Sequence, residues 1–174
     1  QLARLPSYAE AHAEVARLLQ LMQADAVRAQ TRQLYPQAQL QRHLQQTFIS
    51  SLNLLFHAQQ STTRAEHIPQ LAHALAWCSI TRDWDDDLAH GIINIPAEVW
   101  HAAALVAYER DGRVISRNPV IAAWLAEQKQ RAEQDLREVF FRLQQIKRQD
   151  PAAAQIIGLF ARSVRGFARK RYLR

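Results

Sequence analysis

Four aspartates lie within five residues of the chain, at Asp83, Asp85, Asp86 and Asp87, directly after Arg82. Asp83 and Asp87 have the four-residue spacing that places two side chains on one face of a helix, where a like-charged pair costs about 0.2–0.5 kcal/mol. A hard divalent cation removes this repulsion. Mg²⁺ in particular binds one or two carboxylates and completes its octahedral shell with water and phosphate oxygens. The cluster therefore predicts either a Mg²⁺–phosphate site or a solvated acidic helix end.

The segment before the aspartates is apolar on nearly every side from Leu71 to Ile80, which is typical of a buried helix. We expect one helix from about Glu66 to His90, with no change of phase where the apolar part meets the aspartates. A buried helix that ends in four carboxylates favours the cation-binding interpretation.

Helix signals dominate the rest of the sequence, and strand signals are nearly absent. The pairs Asn118-Pro119 and Asp150-Pro151 each place a capping side chain before a proline at the first helical position. They predict a long helix to about Arg148 and a last helix that follows it. Apolar periodicity predicts further helices over residues 7–22, 36–56 and 96–108. We therefore expect a single all-α domain over residues 1–174, a helical bundle of about six helices.

Cysteine content and charge exclude several classes. Cys78 is the only cysteine, which excludes a disulfide framework and a cysteine-based zinc site and predicts a cytoplasmic, reducing environment. No apolar run approaches the length of a membrane span. The chain begins with Gln1 rather than Met, so we expect it to be a piece of a longer protein.

The positive charge is confined to the C-terminal end. Residues 1–150 contain 16 basic and 16 acidic residues, whereas residues 151–174 contain six basic residues and no acid. Arg162, Arg165 and Arg169 share one helix face. Such a stripe predicts either peripheral contact with an anionic membrane or a solvated helix end. Because no recognised reader motif accompanies it, no nucleic-acid partner is expected.

The stretch RDWDDDLAHGIINIP resembles the second aspartate-rich motif of the squalene/phytoene synthase family, whose pattern runs roughly N-I-x-R-D-x-x-E-D-x-x-x-G-R-x-Y-L-P. The matching positions are Ile80, Arg82, Asp83, Asp87, Gly91 and Pro96, and Asp86 takes the place of the glutamate. Asp25 with Arg28 resembles the D-x-x-x-x-R-Y segment of the family. Residues 118–172 resemble its last two helices in length.

The resemblance implies an isoprenoid-synthase bundle around a deep cavity, in which two aspartate motifs hold Mg²⁺ ions that bind prenyl diphosphates. It implies that Asp83, Asp86 and Asp87 are Mg²⁺ ligands and that Asp83 and Asp87 are catalytic. Arg82 and Arg28 would bind the substrate diphosphate. The activity implied is a Mg²⁺-dependent prenyltransferase of isoprenoid biosynthesis that condenses farnesyl or geranylgeranyl diphosphates head to head.

Departures from the family pattern leave two alternatives open. Ser79, Ile92 and Asn94 stand where the family has Asn, Arg and Tyr, and no earlier D-x-x-x-D motif precedes Asp25. We therefore expect the chain to lack the N-terminal helices of the bundle and to be inactive alone. The first alternative is a non-catalytic relative that acts as an assembly or scaffold protein. The second is a helical module whose basic tail binds a membrane or nucleic acid.

Overall fold

A computed structural model describes residues 8–106 and 109–171, and within these ranges the chain forms eight α-helices, one 3₁₀ turn and no strand. The all-α prediction is confirmed, with eight helices rather than about six. In chain order they are α1 (Tyr8–Thr31), α2 (Gln37–Ala58), α3 (Pro69–Arg82), α4 (Trp84–Ala89), α5 (Ala97–Ala102), α6 (Gly112–Arg117), α7 (Pro119–Gln149) and α8 (Pro151–Arg171). The 3₁₀ turn spans Ala65–His67.

Both helices that the Asx–Pro pairs predict are present. The Asn118 side chain accepts a hydrogen bond from the Val120 N–H at 3.0 Å, and the Asp150 side chain accepts one from the Ala153 N–H at 2.9 Å. These bonds satisfy backbone donors that have no partner within the first helical turn. The resulting long helices α7 and α8 pack side by side and form one wall of the molecule.

The prediction of a single helix from Glu66 to His90 is wrong. The chain forms the 3₁₀ turn, then α3 from Pro69, which has no N–H and so suits a helix start, and then α4. The break falls at Asp83, whose ψ of 12° departs from helical geometry. The backbone nevertheless keeps helical hydrogen bonds across this residue, from Asp83 N–H to Ser79 O and from Asp87 N–H to Asp83 O.

Other helix limits also differ from the prediction. The first helix extends to Thr31 rather than residue 22, and the predicted start at Ser7 lies outside the described residues. The helix after Pro96 ends at Ala102, well before residue 108, which is also outside the described residues.

The core has two parts, and the aspartate cluster lies beside the smaller one. The larger part joins α2, α3, α7 and α8. The smaller part packs α4, α5, α6 and the start of α7 around Trp84, Trp100 and Trp124. Helix α1 packs mainly against α2. The C-terminal half of α1 thereby comes close to the segment that follows α4.

Candidate functional site

Asp83 and Asp87 lie on consecutive turns at the junction of α3 and α4, close enough for the negative charge of Asp83 to act on Asp87. The Asp83 carboxylate accepts hydrogen bonds from Arg82 Nε at 2.8 Å and Arg82 Nη2 at 2.7 Å, and from Ser79 Oγ at 3.3 Å. The Arg82 hydrogen bonds lower the pKa of Asp83 and outweigh its burial, which acts the other way. Asp83 is therefore a charged, partly exposed carboxylate held by its neighbour.

Asp87 has a different electrostatic environment. Its Oδ2 accepts a hydrogen bond from Asn94 Nδ2 at 2.9 Å. The pKa of Asp87 is nevertheless raised, first by burial and then by the negative charges of Asp83 and Asp25, while Asn94 and Arg28 act in the opposite direction. The negative charge of Asp87 is therefore only partly compensated by the surrounding protein.

Arg28 lies inside the protein rather than on its surface. Only 1% of its side chain is exposed. Its Nη1 donates to Asp25 Oδ1 at 2.8 Å, and its Nη2 donates to Ile93 O at 2.9 Å and to Asn94 Oδ1 at 3.1 Å. The guanidinium also lies 4.4 Å above the centre of the Tyr35 ring. A diphosphate could reach Arg28 only by displacing these partners.

The chain of contacts continues to a histidine on α2. His43 Nε2 lies 2.9 Å from Asp25 Oδ1, and the His43 ring packs edge-on against Tyr35. Burial alone would raise the pKa of Asp25, but His43 and Arg28 outweigh it and lower that pKa. We refer to His43, Asp25, Arg28, Asn94 and Asp87 as the Arg28 network. It connects α1, α2, α4 and the segment after α4.

A glycine allows the segment after α4 to approach α1 this closely. Gly91 has a φ of +85°, in the left-handed region, and a Cβ added to it would lie 2.5 Å from the carbonyl oxygen of Ala29. The chain then turns so that Asn94 lies between Arg28 and Asp87. Gly91, one of the positions that match the family motif, is therefore the residue that lets the chain pass close to α1.

The remaining two aspartates of the cluster lie apart from this pair. Asp86 is exposed, and its backbone carbonyl lies 2.7 Å from the His90 ring. Asp85 lies on another side, against Gly112 at the start of α6. Within residues 8–106 and 109–171, no three acidic, histidine or cysteine side chains are arranged to hold a metal ion. The three predicted Mg²⁺ ligands, Asp83, Asp86 and Asp87, therefore do not form such a group, and the Mg²⁺ assignment stays a prediction.

Sequence reasoning missed two members of the Arg28 network, His43 and Asn94. Asn94 had a signal: it is the one polar residue in the run from Ile92 to Ile95, and a polar side chain inside an apolar run needs a partner. His43 had none, because its partner Asp25 lies on a different helix and nothing in their spacing links them.

Comparisons with known proteins leave the family open. No protein-family model matches the chain, and no curated protein or solved structure matches it significantly. The resemblance to squalene/phytoene synthases thus depends on the residues of the motif. Among the described helices, none is both long enough and apolar enough to cross a membrane.

Proposed function

We propose that the chain is part of a Mg²⁺-dependent prenyltransferase that condenses prenyl diphosphates head to head, and that Asp83 and Asp87 form one side of its metal–diphosphate site. The observation that carries the proposal is the setting of Asp87, which has one amide donor, Asn94, and two neighbouring carboxylates, Asp83 and Asp25, that raise its pKa together with burial. A buried carboxylate with a purely structural role is normally matched by donors or by an opposite charge. Asp87 instead faces two further carboxylates.

A divalent cation between Asp83 and Asp87 would supply the missing positive charge. When bound, it would neutralise the departing diphosphate of the substrate. Arg82 supports the same site from outside, since 63% of its side chain is exposed while it is bonded to Asp83. From this position its remaining guanidinium donors can bind phosphate oxygens.

Calorimetry with inorganic diphosphate, in Mg²⁺ and in EDTA, tests this proposal. We expect diphosphate binding that requires Mg²⁺ and falls at least about tenfold in Asp83→Asn, the size of a lost charge-assisted contact. Asp85→Asn is the matched control, because Asp85 lies against Gly112, away from the pair. Equal binding in EDTA, or equal losses in both variants, would contradict the metal assignment.

A second candidate function is that of a non-catalytic relative with an assembly or scaffold role. The burial of Arg28 favours the scaffold role. Arg28 is predicted to bind the substrate diphosphate, but both of its terminal nitrogens already donate hydrogen bonds to protein atoms. In that case the Arg28 network only holds α1 to the rest of the bundle. The same calorimetry separates the two candidates, since a scaffold protein shows no Mg²⁺-dependent diphosphate binding.

A further inference from the structure

The outer surface of helices α7 and α8 contains an open basic groove of about 640 Å³. Both apolar and charged side chains line it. The residues that line it are Lys129, Glu133, Leu136, Arg137 and Phe140 from α7, and Arg165, Ala168 and Arg169 from α8. It lies far along the sequence from the aspartate cluster and shares no residue with the Arg28 network.

The groove carries more positive charge than its single acid can balance. Lys129 Nζ lies 3.6 Å from Glu133 Oε1. In contrast, Arg137, Arg165 and Arg169 have no carboxylate within ion-pair distance in the described part of the chain. Three exposed guanidinium groups therefore line a groove whose one carboxylate, Glu133, lies beside Lys129, and such a surface attracts phosphate groups.

Arg165 and Arg162 show how these side chains are held at the surface. The Arg165 guanidinium lies 4.4 Å above the centre of the Phe140 ring. Arg162 folds back over Gly158, where an added Cβ would lie 3.0 Å from its Nη1. Both side chains are exposed, and each holds its guanidinium against this pair of helices.

Two large apolar side chains project from the same pair of helices. Phe141 is 86% exposed and Leu159 is 60% exposed. Phe141 follows the buried Val139 by two residues, and Leu159 follows the buried Ile157 by two, so each points about 200° away from the core. Such side chains beside unpaired arginines are typical of helices that lie in the headgroup region of a membrane.

We propose that the outer face of α7 and α8 docks on the surface of a bilayer that contains anionic lipids. The groove arginines and Arg162 bind headgroup phosphates, and Phe141 and Leu159 insert at the boundary with the acyl chains. The sequence predicted membrane contact only through the basic C-terminal end. The structure adds α7 to this contact, with Arg137 and the most exposed large apolar residue of the described chain. The proposal does not depend on the proposed enzymatic function.

Charge is tested by sedimentation of the protein with phosphatidylserine-containing vesicles and with pure phosphatidylcholine vesicles. We expect binding to the anionic vesicles only, and a steep fall in binding with salt. In the triple variant Arg137→Gln, Arg165→Gln, Arg169→Gln, binding should fall about 100-fold, at about fivefold for each charge near the surface. The groove arginines are exposed, so the variant should fold normally.

A charge-matched control removes three exposed arginines elsewhere, with Arg42→Gln, Arg113→Gln and Arg117→Gln. Its binding should fall no more than about threefold, because none of these arginines lines the groove and exposed charges outside the contact are screened. Equal losses in the two triple variants, or equal binding to both kinds of vesicle, would overturn the proposal.

The apolar part of the contact is tested separately. Phe141→Ser with Leu159→Ser should lower binding to anionic vesicles about tenfold, as expected when two partly inserted side chains are removed. Leu19→Ser with Met22→Ser is the control, because these residues are 54% and 65% exposed but lie on α1. Tighter binding to RNA or DNA than to anionic vesicles, with no effect of the Phe141 and Leu159 changes, would overturn the proposal in favour of nucleic acid.

Discussion

Two aspartates with limited exposure, Asp87 and Asp150, have pKa values that move in opposite directions. Asp150 accepts hydrogen bonds from the Ala153 N–H at 2.9 Å, from Ser61 Oγ at 2.6 Å, and from the N–H and Oγ1 of Thr63 at 3.2 and 2.9 Å. Burial alone would raise the pKa of Asp150, but these donors outweigh it and lower the pKa to about 2. Asp87 has one amide donor and two neighbouring acids, and its pKa is raised.

The difference separates a structural carboxylate from a candidate ligand. Asp150 caps α8 and joins it to the loop after α2, and four neutral donors stabilise its charge. Folding therefore favours the ionised form of Asp150. Folding disfavours the ionised form of Asp87, because burial and the charges of Asp83 and Asp25 raise its pKa. The contrast shows that donors and neighbouring charges, rather than burial alone, decide whether the pKa of a carboxylate falls or rises.

The largest effect that we predict is at Arg28, which provides positive charge near Asp87. Arg28→Met keeps the length of the side chain but removes the hydrogen bonds that Arg28 donates to Asp25, Asn94 and the Ile93 carbonyl. We expect a loss of about 3 kcal/mol in the free energy of unfolding, the usual cost of breaking a buried ion pair. Urea denaturation measures it.

Arg82→Met is the matched control for Arg28. It also breaks an arginine–aspartate pair, but 63% of the Arg82 side chain is exposed, so the expected loss is below about 1 kcal/mol. If the two variants lose the same stability, the Arg28 network does not hold α1 in place, and the comparison of the two arginines fails.

The next effect concerns Asp150. Asp150→Asn should lower the free energy of unfolding by about 2 kcal/mol at pH 7, since the folded pKa of about 2 lies below the usual aspartate value of 3.8. Because the folded pKa is depressed, this contribution is complete above the unfolded pKa of about 4 and is lost as the pH falls towards 2. Denaturation at several pH values should therefore show the two proteins converging in acid. A difference that is independent of pH would mean that the charge of Asp150 contributes nothing.

Local sequence patterns predicted the helices and failed at contacts between distant residues. The Asx–Pro pairs located the starts of α7 and α8 because a cap and its helix are adjacent in the chain. The same pattern could not show that Ser61 and Thr63 also donate to Asp150, 89 and 87 residues away. Likewise, the spacing of Asp83 and Asp87 predicted their proximity, which the helical hydrogen bond between them maintains.

The Arg28 network depended on tertiary structure that no local pattern specifies. Arg28 and Asn94 are 66 residues apart. Their contact requires the packing of α1 on α2 and the left-handed turn at Gly91. From the sequence, Arg28 was a candidate diphosphate ligand with its charge available; in the structure both of its terminal nitrogens already donate to protein atoms, and its Nε is buried without a partner. This objection does not apply to Asp87, because its negative charge is only partly compensated, whereas Asp83 is already paired with Arg82.

The smallest predicted effect, at Asp87, has the opposite sign to the other two. Asp87→Asn keeps an oxygen that can accept from Asn94 and removes the repulsion with Asp83 and Asp25, so we expect a gain of about 0.2–0.5 kcal/mol at pH 7. Because the folded pKa is raised, the wild-type protein is relatively more stable below the unfolded pKa and loses this advantage as the pH rises through the folded value. The difference between the two proteins should therefore shrink in acid.

Magnesium should reverse the order of stability of these two proteins. A cation that binds only the folded protein stabilises it, and the variant lacks one of the two carboxylates that would hold it. Urea denaturation with and without Mg²⁺ should show a gain in the wild-type protein and almost none in Asp87→Asn. If Asp87→Asn instead destabilises the protein as much as Asp150→Asn does, and Mg²⁺ changes neither protein, then Asp87 is a structural carboxylate like Asp150. The scaffold function would then be the better account of this chain, because the charge of Asp87, on which the proposed metal site depends, would not bind Mg²⁺.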